Sequence, residues 1–152
     1  MRSASPSRGR RLDEIAEALP QRATAISRLF LQNTAIEISR TEGGVLRSLS
    51  ERPHRITELA ALEGLTQPGI TMLVNRLEER GWAERGPDPA DRRAVRVSLT
   101  PEGHKVFERL RAEYRALLHE EMATLPDDDV AALARAVEIL DGLIERLRER
   151  AE

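Results

Sequence analysis

The feature that most constrains this chain is a change of hydrophobic period midway along it. Ile70, Leu73, Val74 and Leu77 recur at the three- and four-residue spacing that puts them on one side of a helix. Thr66 stands where a helix N-cap is expected, and Gly81 where a helix stops. Further on, Val95, Val97 and Leu99 alternate with other residues, and side chains two apart share one face of a strand. A Gly/Pro/Asp-rich stretch over 86–91 reads as the turn between that strand and a shorter one at 82–85, so the segment is expected to be a β-hairpin. Upstream, Thr57 is expected to cap a short helix over 58–63 that Gly64 ends, with Ile56 in a short strand. Helix, tight turn, second helix and hairpin together make a winged helix-turn-helix, with its reading head between Ile56 and Leu99.

Helices are expected on both sides of this module. Leu12, Ile15, Ala16 and Leu19, then Ala23, Ile26 and Phe30, have helical spacing, interrupted by Pro20. Because proline lacks an N–H, the pattern predicts either two helices meeting near Pro20 or one kinked helix. Ser39-Arg40-Thr41-Glu42 is a capping box opening a helix to about Ser50, with Val45, Leu46 and Leu49 inward. Gly43 and Gly44 are poor helix residues, so close packing by a second helix is expected there. Thr100-Pro101 opens a further helix with its apolar stripe at Val106, Leu110, Leu117, Leu118 and Met122. After a break at Leu125-Pro126, a final helix carries Val130, Leu133, Val137, Leu140, Ile144 and Leu147. The fold class is therefore mainly α with a small β-hairpin wing. The expected organisation is a flexible arm over 1–10, a winged helix-turn-helix over 36–100, and a helical dimerisation region formed by 11–35 and 101–152. The outer helices are too long and too apolar on one face for the central module to cover.

Composition narrows the chemistry. With no cysteine, there is no disulfide, thiolate zinc site or thiol redox sensor. His54, His104 and His119 are scattered, and none is three or four residues from another. No metal and no cofactor is expected. No apolar run approaches the roughly 20 residues that cross a bilayer. A cytoplasmic protein without membrane contact is expected, and the near-absence of lysine suggests a GC-rich bacterial source. No nucleophile–base pair or phosphate loop points to an enzyme. The formal net charge of −2 is unevenly spread. The first 105 residues are mildly basic, and the acid is concentrated from residue 106 onward. A local basic face is compatible with that total.

In this architecture the helix over 58–63 braces the next one, whose N-terminus is expected to enter the major groove. Its outer face offers Gln67, Pro68, Thr71, Met72, Asn75 and Arg76. Gln, Asn, Thr and Arg are residue types that bond base edges or phosphates. The hairpin tip adds Arg92 and Arg93, and an arginine there suits a narrow minor groove. Trp82 is read as packing, and His54 and His104 are expected to face solvent.

The residues resemble the MarR family of bacterial regulators over about 36–105. The likeness rests on Ile-Thr-Glu-Leu-Ala at 56–60, on Gly-Leu-Thr-Gln-Pro-Gly-Ile-Thr-Met-Leu-Val-Asn-Arg-Leu-Glu-Glu-Arg-Gly at 64–81, and on the wing at 82–103. Within the wing, Asp91-Arg92-Arg93 followed by alternating aliphatics and Leu-Thr-Pro-Glu-Gly is the most specific part. The resemblance implies a homodimer that binds a pseudo-palindromic operator in double-stranded DNA, often as a repressor. It also implies release by a small, often anionic aromatic effector. Thr71, Met72 and Arg76 match DNA-facing positions of the family. Arg93 matches a wing arginine that contacts DNA or braces the wing through an acidic partner, and Arg92 matches its basic neighbour. Arg85 resembles a position used for anionic ligands in a relative, and a pocket is expected near Phe30, Arg40, Gly43, Gly44 and Tyr114. The chain also departs from the family's habits. Met72 stands where arginine is common, Pro68 and Gly69 replace Ser, Thr or Ala, and Thr66 replaces an acid that in some members meets the wing arginine. The competing reading is a winged-helix protein-interaction module without specific DNA binding. In that case Arg92→Ala with Arg93→Ala leaves the main activity intact.

Overall fold

A computed structural model describes residues 7–150, apart from the side chain of Arg92. The expected arm over 1–10 lies outside the described residues up to residue 6. From Ser7 onward the expectation is corrected. The Ser7 hydroxyl accepts from the Arg10 N–H, and helix α1 runs from Arg8 to Gln32. Of the two possibilities at Pro20, one continuous helix is found. Pro20 removes a single backbone donor, and the residues on either side keep the helix going.

The remaining elements are α2 (Arg40–Glu51), β1 (His54–Arg55), α3 (Ile56–Glu63), α4 (Gln67–Glu79), β2 (Ala83–Asp88), β3 (Asp91–Leu99), α5 (Pro101–Met122) and α6 (Asp127–Glu149). The capping box at the start of α2 is present in both directions. The Glu42 N–H donates to the Ser39 hydroxyl, and the Ser39 N–H donates to the Glu42 carboxylate at 2.8 Å. The short strand falls one residue earlier than expected, at His54–Arg55, and Ile56 already belongs to α3. It is Glu58, accepting from the Arg55 N–H at 2.7 Å, that holds this helix start.

The sheet order is β1-β3-β2, antiparallel throughout, with His54 opposite Val97 and Arg85 opposite Val97 on the other side. The wing is longer than the sequence suggests. β2 continues through Gly86 and Pro87 to Asp88, β3 begins at Asp91, and only Pro89 and Ala90 turn. Proline is acceptable in β2 because this strand lies at the sheet edge and needs no ladder donor there.

The chain divides into two compact units, with the boundary between Ala112 and Glu113, inside α5. The core of the first unit joins Val45, Leu46 and Leu49 of α2, Leu59 and Ala60 of α3, the apolar face of α4, and Ala83, Val97 and Leu99 of the sheet. Val95 keeps the expected phase but, toward the wing tip, is 49% exposed, beyond the reach of the core. Trp82 packs against the core as expected, with the Arg80 guanidinium 4.3 Å above its ring. His54 is the reverse of its expectation, because pairing with β3 buries it to 3% exposure, whereas His104 is exposed. Of the two helical glycines, Gly44 is closely approached by the Glu63 carboxylate of α3, while Gly43 has open space.

α1 and α6 contain no buried residue. On α6, positions 130, 133, 137, 140, 144 and 147 alternate in steps of three and four, and most of them are exposed to solvent. That is the spacing of a coiled-coil seam.

Candidate nucleic-acid interface

The turn between α3 and α4 is built from two backbone bonds. The Leu65 N–H donates to the Ala60 carbonyl and the Gly64 N–H to the Ala61 carbonyl, with Gly64 left-handed at φ +64°. This is a Schellman ending, which glycine adopts without a Cβ clash. The Thr66 hydroxyl then accepts from the Gly69 N–H, and Pro68 lies in the first turn, where no N–H is needed. At the far end, Gly81 (φ +72°) repeats the ending, with Gly81 and Trp82 N–H groups on the Glu78 and Leu77 carbonyls. Two local stops therefore fix the length and direction of α4.

Ile70, Leu73, Val74 and Leu77 are buried, so the opposite face is presented outward. Gln67, Pro68, Met72, Asn75 and Arg76 are all exposed, and Met72 most conspicuously at 67%. Thr71 is half-buried, and its hydroxyl donates to the Gln67 carbonyl one turn back, leaving that oxygen as an acceptor only. Arg76 faces Glu42 of α2 across 3.6 Å. Arg85 of β2 bonds to Asn75 and pairs with Glu78, tying the wing strand to α4.

The wing is locked by a residue that the sequence did not single out. Asp88 is fully buried at the end of β2. Its Oδ1 accepts from the Ala90 N–H at 2.9 Å, which closes the turn. Its Oδ2 accepts from Arg55 Nε of β1 at 2.7 Å, is ion-paired with Arg55 Nη2 at 2.6 Å, and lies 3.0 Å from Arg96 Nε, a charge contact without hydrogen-bond alignment. The Ala90 hydrogen bond, against the penalty of burial and helped by the two arginines, pulls the Asp88 pKa down to about 2. One carboxylate thus joins all three strands. The only local signal was an Asp-Pro pair that looked like a turn. Beyond it, the Asp91 carboxylate accepts from the Arg93 N–H, and Arg93 is exposed at the wing's start. Arg92 belongs to β3, but its side chain lies outside the described residues.

Glu42 is a second residue whose role exceeds its motif. Burial pushes its pKa up, but the Ser39 N–H and hydroxyl together with Arg76 and Arg80 outweigh that and hold it below the usual carboxylate value. Arg80 reaches from the end of α4 to donate to the Glu37 carbonyl at 2.7 Å. Between them lies a cavity of about 480 Å3 lined by Glu37, Ile38, Ser39, Glu42, Arg76, Glu79 and Arg80.

None of the six residues expected near an effector lines that cavity. Phe30 is half-buried near the end of α1, Arg40 is exposed at the start of α2, and Gly43 and Gly44 follow within α2. Arg85 is engaged with α4, and Tyr114 belongs to the second unit.

A braced second helix with a polar outer face, beside a three-stranded wing, defines a winged helix-turn-helix protein. The comparisons narrow this. A profile described as MarR family matches residues 36–94. Over 106 residues, 69% of this chain and 75% of the relative, the sequence is 30% identical to the HTH-type transcriptional regulator YpoP of Bacillus subtilis. Over 77 residues it is 36% identical to the multiple antibiotic resistance protein MarR of Salmonella typhimurium, spanning 50% of this chain and 54% of that protein. A MarR family protein from Bacillus stearothermophilus has the same fold, with a TM-score of 0.75 at 22% identity over 92% of this chain and 99% of that one. So has Streptococcus pneumoniae FabT, solved in complex with DNA, with a TM-score of 0.65 at 20% identity over 91% of this chain and 98% of that one. The chain belongs to the MarR family of transcriptional regulators.

Proposed function

We propose that this protein is a sequence-specific DNA-binding repressor that grips a pseudo-palindromic operator as a homodimer. The observation that carries the reading is the outward face of α4. Gln67, Asn75 and Arg76 are exposed on a helix whose other side is buried, so Gln67, the Asn75 amide beyond its bond to Arg85, and the Arg76 guanidinium beside Glu42 face the side where base edges and phosphates would lie. Pro68 and Met72 give the same face an apolar patch suited to a thymine methyl. Arg93, with Arg92 beside it in the chain, supplies a wing contact to the neighbouring minor groove. FabT, of the same fold, was solved with DNA, which supports this use of the face. The homodimer is supported by the uncovered apolar residues of α1 and of α6, each taken by itself, such as Ile15 at 56% and Val137 at 57% exposure. A homodimer presents two recognition helices, which is what a two-fold operator requires. Release by a small anionic effector is what the family resemblance implies, with Arg40 and Arg85 as the cationic groups and Phe30, Gly43 and Gly44 as the remaining proposed contacts within the first unit.

The test is fluorescence anisotropy with the duplex upstream of the protein's own gene. Affinity is expected to fall steeply as salt rises, because phosphate contacts release counterions. Arg93→Ala is expected to flatten the log–log salt slope by about 0.9 if that arginine neutralises one phosphate. Equal binding to an unrelated duplex of the same length would overturn the reading.

A further inference from the structure

We propose that Met72 is a redox-sensitive site, where oxidation of the thioether to its sulfoxide by a peroxide weakens operator reading by α4. The inference rests on the major-groove reading of α4 given above and adds a chemical control of that same face.

Met72 is the most exposed large apolar side chain among the described residues, at 67%. It sits on the outward face of α4, one turn beyond Pro68 and one turn before Asn75 and Arg76. The opposite face of the helix is buried, so a change at Met72 leaves the core undisturbed. The chain has no cysteine, so its oxidisable sulfur is confined to three methionines. Met122 is half-buried at the end of α5, and Met1 lies outside the described residues. A peroxide has to reach the sulfur, and access puts Met72 ahead of Met122.

The step is a two-electron oxygen transfer. A sulfur lone pair attacks one oxygen of hydrogen peroxide, and the S–O bond forms as the O–O bond breaks. The second oxygen leaves as water after taking the proton of the first. Sulfur is oxidised and the peroxide is reduced. Methionine sulfoxide reductases reverse the change.

The product differs from Met72 in the property that matters on a reading face. The thioether is apolar and adaptable, and it suits a thymine methyl. The sulfoxide is polar, so pressing it against that methyl strips its oxygen of water without a replacement bond. The new oxygen is also an acceptor. Asn75 and Arg76 stand three and four residues on, the spacing at which helix side chains meet, and both carry N–H donors. A sulfoxide at position 72 therefore competes with DNA for those donors. The loss falls on base reading, whereas phosphate contacts from the wing keep the generic grip.

The test compares the full-length protein before and after hydrogen peroxide. Fluorescence anisotropy reads binding to the duplex upstream of its own gene and to an unrelated duplex, and peptide mass spectrometry locates the added oxygen. Oxidation of Met72 is expected to weaken operator binding on the order of tenfold, the size of one mismatched base pair, and to change binding to the unrelated duplex less. Methionine sulfoxide reductase is expected to restore the operator affinity. Met72→Leu, close in volume and without sulfur, is expected to bind the operator as untreated wild type does and to ignore peroxide, while Met122→Leu stays sensitive. Four results overturn the proposal and leave DNA reading by α4 intact: a Met72 that resists oxidation, an unchanged operator affinity once Met72 carries the oxygen, a peroxide-induced loss that persists in Met72→Leu, or equal losses on both duplexes. If leucine itself impairs the contact, reductase rescue of the Met122→Leu protein decides. An untreated wild type that binds both duplexes equally overturns the α4 reading and this inference with it, so the two failures are told apart.

Discussion

At the scale of single residues, the most consequential group is Asp88. Its depressed pKa has a definite sign for stability. The folded value, about 2, lies below the ordinary 3.8, so its contribution is fully present above pH 3.8 and is lost as pH falls toward 2. A carboxyl-carbon NMR titration should therefore place Asp88 near 2, and an Asp88→Asn variant should melt lower than wild type at neutral pH but lose less between pH 4 and 2. A midpoint for Asp88 at the ordinary value would remove the wing clamp. His54 works over a different window. Burial and the nearby Arg52, opposed by Glu58 at 3.6 Å, lower its pKa from 6.5. The folded state thus resists the proton, and stability present above pH 6.5 declines as the solution is made more acidic. The melting temperature is expected to drop between about pH 7.5 and pH 5, and His54→Gln is expected to reduce that drop. An identical pH slope in the variant would mean that another group is responsible. Neither residue's role could be read locally. Asp88 depends on Arg55, thirty-three residues away, and His54 depends on pairing with Val97.

At the scale of elements, most boundaries follow from neighbours in the chain. Ser39 with Glu42, Thr66 with Gly69, and the glycines at 64 and 81 are interactions over three to five residues, and all stood in the sequence where the helices begin and end. The joint between wing and α5 combines both kinds of information. The Thr100 hydroxyl accepts from the Gly103 N–H, a local cap, and donates to the Gly81 carbonyl at 2.6 Å, a tertiary bond. Gly103 itself looks like an ordinary weak helix residue in the sequence. In the fold, a Cβ there would collide with the backbone carbonyl of Trp82. Gly103→Ala gains about 1 kcal/mol of helix propensity. Overpacking against a fixed backbone costs typically 1–3 kcal/mol, and more where nothing can yield. The collision is expected to win, so chemical denaturation should show Gly103→Ala less stable than wild type. A stabilised variant would mean that the start of α5 can shift. The wing is longer than its local sequence predicts for a related reason. Residues 86–91 are Gly, Pro or Asp at every position but Ala90, yet burial of Asp88 and pairing with β3 keep 86–88 in the strand.

At the scale of the whole molecule, the prediction concerns assembly. α6 carries an exposed apolar seam in steps of three and four, and α1 has exposed Leu12, Ile15, Ile26 and Leu29. If these faces meet a second copy, sedimentation should give twice the 17.1 kDa of one chain. Leu133→Glu with Val137→Glu, one turn apart on the seam, is expected to give the single-chain mass and to weaken operator binding. A wild type that sediments at 17.1 kDa would refute the homodimer. The sequence by itself determined the periods, caps and stops, and with them the helix-turn-helix and hairpin, because these arise from contacts a few residues apart. It also marked the outward face of α4 from Gln67 to Arg76. Only the tertiary structure decided that Asp88 closes the wing, that His54 is buried, that Glu42 faces Arg76, and that Arg85 donates to the amide oxygen of Asn75. The physical reason is that a polar group's charge state and hydrogen-bonding capacity depend on the partners folding brings to it from distant parts of the chain.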